Sequence, residues 1–272
     1  MTMTNIMHGR FALVASRLVG PLALLAVALA PTVAHAQRKS PLEDAPAIRK
    51  RLELRDTRFE GGVGFGSTIN QDFYHTFMLD VRLAFHVNDW FSIAGVGGFA
   101  VDNMATGFQD NIVNTLRTTQ GPITREPPKG LATASMSKID MADAVQLEFT
   151  PFTGKYSMFG KIFAHYDFYV FGGPGFLKVE PTNANGCTNT SGYCGDTGWK
   201  VGGNVGVGLH TFFNQWLGLN VELRDIIARI NPSGRDVNGD GKADKNDLGW
   251  GSTYIATANL VIFLPSTAAI SQ

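Results

Sequence analysis

Charge is scarce in this chain, cysteine is nearly absent, and the net charge is zero. Only 17% of the residues are Asp, Glu, Lys or Arg, against about 25% in an ordinary soluble domain. The 23 basic and 23 acidic residues cancel, which removes any overall electrostatic pull toward nucleic acid, and no nucleic-acid partner is expected. Two cysteines in 272 residues exclude a disulfide-built miniprotein and a cysteine-rich zinc module. Beyond residue 36 no apolar run reaches the ~20 residues that a membrane-crossing helix needs. What is plentiful is glycine, at 31 residues, and phenylalanine, at 19, within a hydrophobic content of 44%. That content excludes disorder. The combination indicates a β-rich protein that meets something other than water.

The first 36 residues read as a secretory signal peptide. Arg10 and Arg17 precede the apolar run Leu18–Ala30, and Ala34-His35-Ala36 supplies a small-x-small cleavage site. Residues 37–57 form a polar lead-in, rich in charge and bounded by proline. If the exported part enters a membrane, it must do so as a closed β-barrel. Without spanning helices, only that arrangement pairs every backbone N–H and C=O in hydrocarbon.

Period-two alternation begins after the lead-in. In 73–87, Phe73, His75, Phe77, Leu79, Val81, Leu83, Phe85 and Val87 share one face, while Tyr74, Thr76, Met78, Asp80, Arg82, Ala84 and His86 share the other. A helix would scatter Asp80 and Arg82 among the apolar side chains; a strand segregates them. Leu217, Leu219, Val221 and Leu223 alternate with Gly218, Asn220, Glu222 and Arg224 in the same way. So do Phe59, Val63 and Phe65 with Arg58, Glu60 and three glycines, and Val145, Leu147 and Phe149 with Gln146 and Glu148.

A soluble sandwich would alternate too, with its apolar faces inward. Two features favour the inverted arrangement. The runs are long for soluble strands, whose mode is about 5–6 residues, and they match the ~9–11 residues of a tilted membrane-crossing strand. The polar faces combine glycine with paired opposite charges, which suits a narrow interior filled by side chains. The expected strands are 58–68, 73–87, 90–101, 142–151, 166–179, 199–213, 216–229 and 253–263. Short turns at Asn88-Asp89 and Asn214-Gln215, each followed by a tryptophan, alternate with longer connections. The expected fold is therefore all-β: an eight-stranded antiparallel up-and-down transmembrane barrel with a polar interior, spanning 58–263 and followed by a tail, 264–272. Its expected location is a Gram-negative outer membrane, with outer-membrane lipid as its surroundings.

The chain resembles the eight-stranded outer-membrane β-barrel domain proteins that occur in multiple copies in myxobacteria and related Gram-negatives. The resemblance runs through Asp44-Ala45-Pro46-Ala47-Ile48-Arg49-Lys50-Arg51-Leu52-Glu53-Leu54 into Arg58-Phe59-Glu60. It continues through Asp72-Phe73-Tyr74-His75-Thr76, Val87-Asn88-Asp89-Trp90, Phe149-Thr150-Pro151 and His165-Tyr166-Asp167. It covers the exported chain. It implies the barrel and the outer membrane, and it implies no particular chemistry.

The sharpest chemical motif is Asp236-Val-Asn238-Gly-Asp240-Gly241-Lys242-Ala-Asp244-Lys-Asn-Asp247. Oxygen side chains recur at the first, third, fifth, ninth and twelfth positions. Gly241 allows a sharp turn, and Lys242 can offer its carbonyl. This spacing can wrap a short loop around Ca²⁺, which takes six to eight hard oxygens. The alternative is a solvated Asp/Asn/Gly turn. Asp at the twelfth position, where glutamate is usual, shortens the reach. Cys187 and Cys194, an even pair in one loop of an exported chain, read as a disulfide. Asp80, Arg82, Glu148, Glu222 and Arg224 read as an interior charge network, because unpaired ions out of water are very costly.

The expected role is non-enzymatic: a barrel displaying calcium- and disulfide-stiffened loops to an extracellular or envelope partner. One alternative is a lipid-modifying hydrolase using His75 and Ser67, for which no acid partner or Gly-x-Ser-x-Gly elbow is found. The other is a narrow pore.

Overall fold

The computed structural model describes residues 52–53, 55–69, 71–116, 129–158, 162–183, 194–241, 243–266 and 269–270. The signal peptide, the lead-in up to residue 51, Cys187 and Lys242 lie outside the described residues.

Eight antiparallel strands close into a barrel: β2 (Arg58–Thr68), β3 (Tyr74–His86), β4 (Phe91–Ala105), β5 (Ser137–Met158), β6 (Ile162–Pro181), β7 (Gly198–Phe212), β8 (Leu217–Ile230) and β9 (Gly249–Leu264). Each pairs with its neighbours in sequence, and β9 returns to β2. Two short strands, β1 (Leu52–Glu53) and β10 (Ala269–Ile270), pair with each other outside the ring.

The register sets the dimensions. Arg58 faces His86, His86 faces Ser92, Ser92 faces Glu148 and Glu148 faces Phe171. The path continues through Gly206, Arg224 and Ile255 and re-enters β2 at Thr68, ten residues beyond its start. Eight strands with that stagger tilt by about 40° and enclose a wall of radius roughly 8 Å, leaving room for side chains and little else.

The alternation has the inverted sense. Phe65 is 74% exposed, Val201 67% and Leu147 65%, while Arg82 and Asn204 inside are 0% exposed. The linked charges of the interior gather at mid-height. Near the loop end Met78, Ile139, Ala142, Leu177, Val179, Ile226, Ala228 and Ile255 form an apolar plug, and near the turn end Phe212, Val261 and Phe263 form a smaller one.

Two of the turns share one device. Asn88 Oδ1 accepts from the Trp90 and Phe91 amides, both at 2.8 Å, and Asn214 Oδ1 accepts from those of Trp216 and Leu217 at 2.9 and 2.7 Å. Asparagine folds the chain back by replacing a backbone acceptor with its own side chain.

Three features differ from the sequence reading. Strands β5 and β6 are 22 and 20 residues long, well beyond the expected 142–151 and 166–179. A register shift between Phe149 and Phe152 breaks the two-residue period there and hides the continuation. The connection after β4 contains helices α1 (Gly107–Thr115) and α2 (Lys129–Ser135). Thr106 caps α1, accepting from the Gln109 amide at 3.1 Å. Thr106 followed three residues later by glutamine is a start signal legible in the sequence. Lastly, Arg55 of the lead-in is part of the barrel end, with its side chain buried.

Candidate functional site

The interior charge cluster is built by strand parity. Glu60 on β2, Asp80, Arg82 and His86 on β3, Glu148 on β5, Tyr169 on β6, His210 on β7 and Glu222 and Arg224 on β8 all point inward and are buried. The Arg82 guanidinium is its hub. Its Nε meets Glu60 Oε1 at 2.7 Å, its Nη2 meets Glu148 Oε1 at 2.6 Å, and its Nη1 meets Glu222 Oε1 at 2.5 Å. One planar fork thus ties three strands from different parts of the ring, a task for which arginine's fixed donors are suited.

Around this hub nearly every charge has a partner. Ser92 Oγ donates to Glu148 Oε2 at 2.6 Å, and the Tyr169 hydroxyl donates to Glu222 Oε1 at 2.6 Å. Arg224 Nη2 lies 3.0 Å from Glu222 and 3.4 Å from Asp80, whose other oxygen accepts from Asn259 at 2.8 Å. His86 and His210 both turn Nε2 toward Glu60 Oε2, at 2.8 and 3.1 Å. Four carboxylates, Glu60, Asp80, Glu148 and Glu222, thus face the two guanidiniums of Arg82 and Arg224. The five residues singled out from sequence are all joined here. Glu60, His86, Tyr169 and His210 also take part; their inward parity was the signal for them.

Tyr169 reaches the cluster because Gly208 lies opposite it on β7. A Cβ on Gly208 would overlap the Tyr169 ring, so the bare backbone lets the ring lie flat across the neighbouring strand. The ring in turn lies 5.6 Å from the Arg82 guanidinium carbon, within cation–π range.

The turn end is closed by two arginines. Arg55 Nε meets Asp167 Oδ2 at 2.9 Å and its Nη1 donates to Thr150 at 2.8 Å, while Nη2 donates to the Asp89 carbonyl. Arg58 donates to the carbonyls of Phe263 and Pro265, at 3.2 and 2.9 Å.

At the other end the connections hold one another. The Cys194 amide donates to the Gly234 carbonyl at 2.7 Å, and the Ser137 amide donates to that of Pro232 at 2.9 Å. The Asn231 amide donates to Asp196 at 3.0 Å, and Asp196 also pairs with Lys200.

Within 236–247, the aspartates serve backbone amides. Asp236 accepts from Gly239 and Gly241, each at 2.7 Å. Asp247 accepts from Val237, Asn238 and Asp244 at 2.7, 2.9 and 2.7 Å. Gly241 has φ +88° at the sharp turn, a conformation that a side chain disfavours. Burial of Asp247 acts to raise its pKa, but the amides of Asp244, Asn238 and Val237 outweigh it and hold the carboxyl below its ordinary value. Asn238 accepts from the Asp240 amide at 2.9 Å, and Asp244 from that of Asn246 at 2.7 Å. Among the described residues no group of three or more His, Cys, Asp or Glu side chains is placed to hold a metal ion.

Ser67 and His75 stand on neighbouring strands, β2 and β3. Ser67 Oγ donates to the Thr68 carbonyl at 3.2 Å.

The fold is thus a closed, eight-stranded antiparallel barrel with a charged middle. No family model matches the chain, and no curated protein does. Solved structures of similar shape include the N-terminal β-barrel domain of Pseudomonas aeruginosa OprF, at 10% identity and TM-score 0.40, covering 77% of this chain and 98% of that one. Ail, the attachment invasion locus protein of Yersinia pestis, is similar at 8% identity and TM-score 0.36, with 77% and 99% covered. The outer membrane protein OprG from P. aeruginosa gives 12% and 0.35, with 77% and 95% covered.

Proposed function

We propose that this protein is an integral outer-membrane barrel of non-enzymatic role, which holds a joined set of loops at the cell surface for adhesion, partner binding or envelope structure. The carrying observation is the inverted burial: large apolar side chains cover the outside while paired ions fill the inside. In water such an exterior would far exceed the roughly 300–600 Å² apolar patch of an ordinary monomer. In hydrocarbon it is the expected surface, and a closed ring leaves no backbone edge unpaired. Trp90 and Trp216 at the turn end, with Trp199 and Trp250 at the loop end, are exposed where the two interfacial belts would lie. The kinship with the myxobacterial group belongs to the same proposal.

The loop end carries the proposed binding role. The bonds among 137, 194–196 and 231–234 give those connections a definite shape, and a Cys187–Cys194 bridge would hold it further. Calcium is proposed as a second stiffener of 236–247. Asp236, Asn238, Asp240, Asp244 and Asp247, with the Lys242 carbonyl, supply its hard oxygens, and the cation would relieve the mutual repulsion of four carboxylates. The pore reading meets two obstacles, since the apolar plugs at both ends would exclude water and ions from the charged middle.

Heat-modifiable migration of the membrane fraction tests insertion and closure together. A folded band that migrates apart from the boiled one, lost on unfolding, is expected. A protein that stays soluble and monomeric without detergent would overturn the reading. Titrating Ca²⁺ into the detergent-solubilised barrel is expected to raise its unfolding temperature, and an unchanged temperature removes the calcium proposal.

A further inference from the structure

Strand β9 outruns the strand beside it. Its pairing with β2 ends at Ile255 opposite Thr68, with one further bond from the Ile69 amide to the Tyr254 carbonyl at 2.9 Å. From Gly249 to Tyr254 the described ladder partners are all on β8. That stretch covers roughly 20 Å of strand. The chain after Ile69 is held on the β4 side. The Thr106 amide donates to the Phe73 carbonyl at 2.9 Å, and the Thr106 hydroxyl donates to the Asp72 carbonyl. What remains is a cleft of about 400 Å³ between residues 71–72, the β8–β9 connection and the edge of β9.

This edge offers main-chain groups. In an antiparallel strand the N–H and C=O of one residue point the same way, and successive residues point to opposite sides. The Tyr254 carbonyl points toward β2, so the amides and carbonyls of Trp250 and Ser252 point into the cleft, while those of Gly249, Gly251 and Thr253 serve β8. A Cβ on Gly249 would meet nothing within 4 Å. Exposed edges are ordinarily blunted by lysine, proline or a bulge. Gly249-Trp250-Gly251-Ser252-Thr253 has no charge and no proline, and its pairing with β8 runs without a register shift. The charge around the cleft is of one sign. Asp72 and Asp247 line it and, among the described residues, no Lys, Arg or His does. Arg229, opposite Trp250 on β8, turns its guanidinium to the Leu248 carbonyl at 2.8 Å.

We propose that the loop-end edge of β9 is a strand-addition site, where Trp250 and Ser252 pair with an extended, lysine- or arginine-bearing segment of a partner protein. This deepens the partner-binding role proposed above and rests on it. Main-chain bonds give such a site its affinity, and side-chain contacts select the partner. Donors and acceptors that alternate at strand spacing match another main chain, and a lipid headgroup does not repeat them at that spacing. β3 stands two strand spacings from β9, roughly 10 Å. That gap admits one strand and excludes the flank of a second barrel. Asp247 is committed to three amides of its own loop, which leaves Asp72 as the contact for a basic side chain of the added strand.

The test uses the full exported chain folded into phosphatidylcholine vesicles, with a pool of labelled hexapeptides that alternate lysine with valine, isoleucine or tyrosine. Fluorescence anisotropy reads binding, and hydrogen exchange reads the edge. The peptides are expected to bind saturably and to slow exchange of the Trp250 and Ser252 amides by about tenfold or more. Methylating the peptide nitrogens removes their donors and should abolish binding. Asp72→Asn should weaken binding severalfold, and so should glutamate in place of the peptides' lysine. Binding that leaves both amides exchanging at their original rate overturns the proposal, as does the absence of binding by a chain that shows its heat-modifiable band. Amides slowed by the vesicle alone, or by raising the protein concentration, identify lipid or a second copy as the occupant and overturn it too. A native chain that forms no heat-modifiable band overturns the membrane reading itself.

Discussion

The Tyr169 ring occupies the space that a side chain on Gly208 would need, and this contact links strand pairing to the charge cluster. Gly208 lies directly opposite Tyr169, and the ring's hydroxyl reaches Glu222 at 2.6 Å. Gly208→Ala is therefore expected to push the ring off the wall and lengthen that bond. Overpacking of this kind costs about 1–3 kcal/mol. A lower unfolding temperature checks it, and Tyr169→Ala in the same chain should relieve much of the clash.

Arg82→Met should be the most damaging single change in the interior. It leaves Glu60, Glu148 and Glu222 without their shared cation in a place closed to water. Removing one partner of a buried ionic group costs about 3–5 kcal/mol. Denaturant unfolding of the lipid-inserted protein measures the loss. Adding Glu60→Gln, Glu148→Gln and Glu222→Gln to Arg82→Met should recover part of the stability, because the unpaired charges are then gone.

The 236–247 loop should loosen in acid. The Asp247 carboxyl is held below its ordinary value by three amides, in spite of burial acting the other way. A lowered folded-state pKa contributes stability that is complete above the unfolded value of about 3.9 and is lost as pH falls through the folded value. Protection of the Val237, Asn238 and Asp244 amides from hydrogen exchange should therefore fall in that range. Asp247→Ala should remove it at every pH.

Charge on the outer wall should obstruct insertion according to depth. Leu147→Arg, on the outward face of β5, is expected to cost up to about 2–4 kcal/mol, the range seen for a basic residue near a bilayer midplane. The same change at exposed Val237 in the outer loop should be nearly neutral. The yield of heat-modifiable protein after refolding into vesicles distinguishes the two.

Legibility differed from strand to strand. Phe73–Val87 and Leu217–Arg224 announced their faces because each alternates without interruption, and a strand converts that period directly into sides. In β5 the register shift after Phe149 breaks the period, so the length of that strand was hidden although its first half was clear. Arg55 was unreadable in a different way. It stands in a charged stretch indistinguishable from a solvated one, and only the closing of the ring brings Asp167 and Thr150 within its reach.

Strand parity is a local property, and the amino-acid order alone settled which side chains share a face and which of those faces is apolar. It also determined where the chain turns, since asparagine, glycine and proline act on the backbone within a few residues. Closure, the stagger of ten and the partners of Arg82 belong to the tertiary structure. Glu60, Glu148 and Glu222 are far apart in the chain and meet one guanidinium because a narrow ring directs them to its centre.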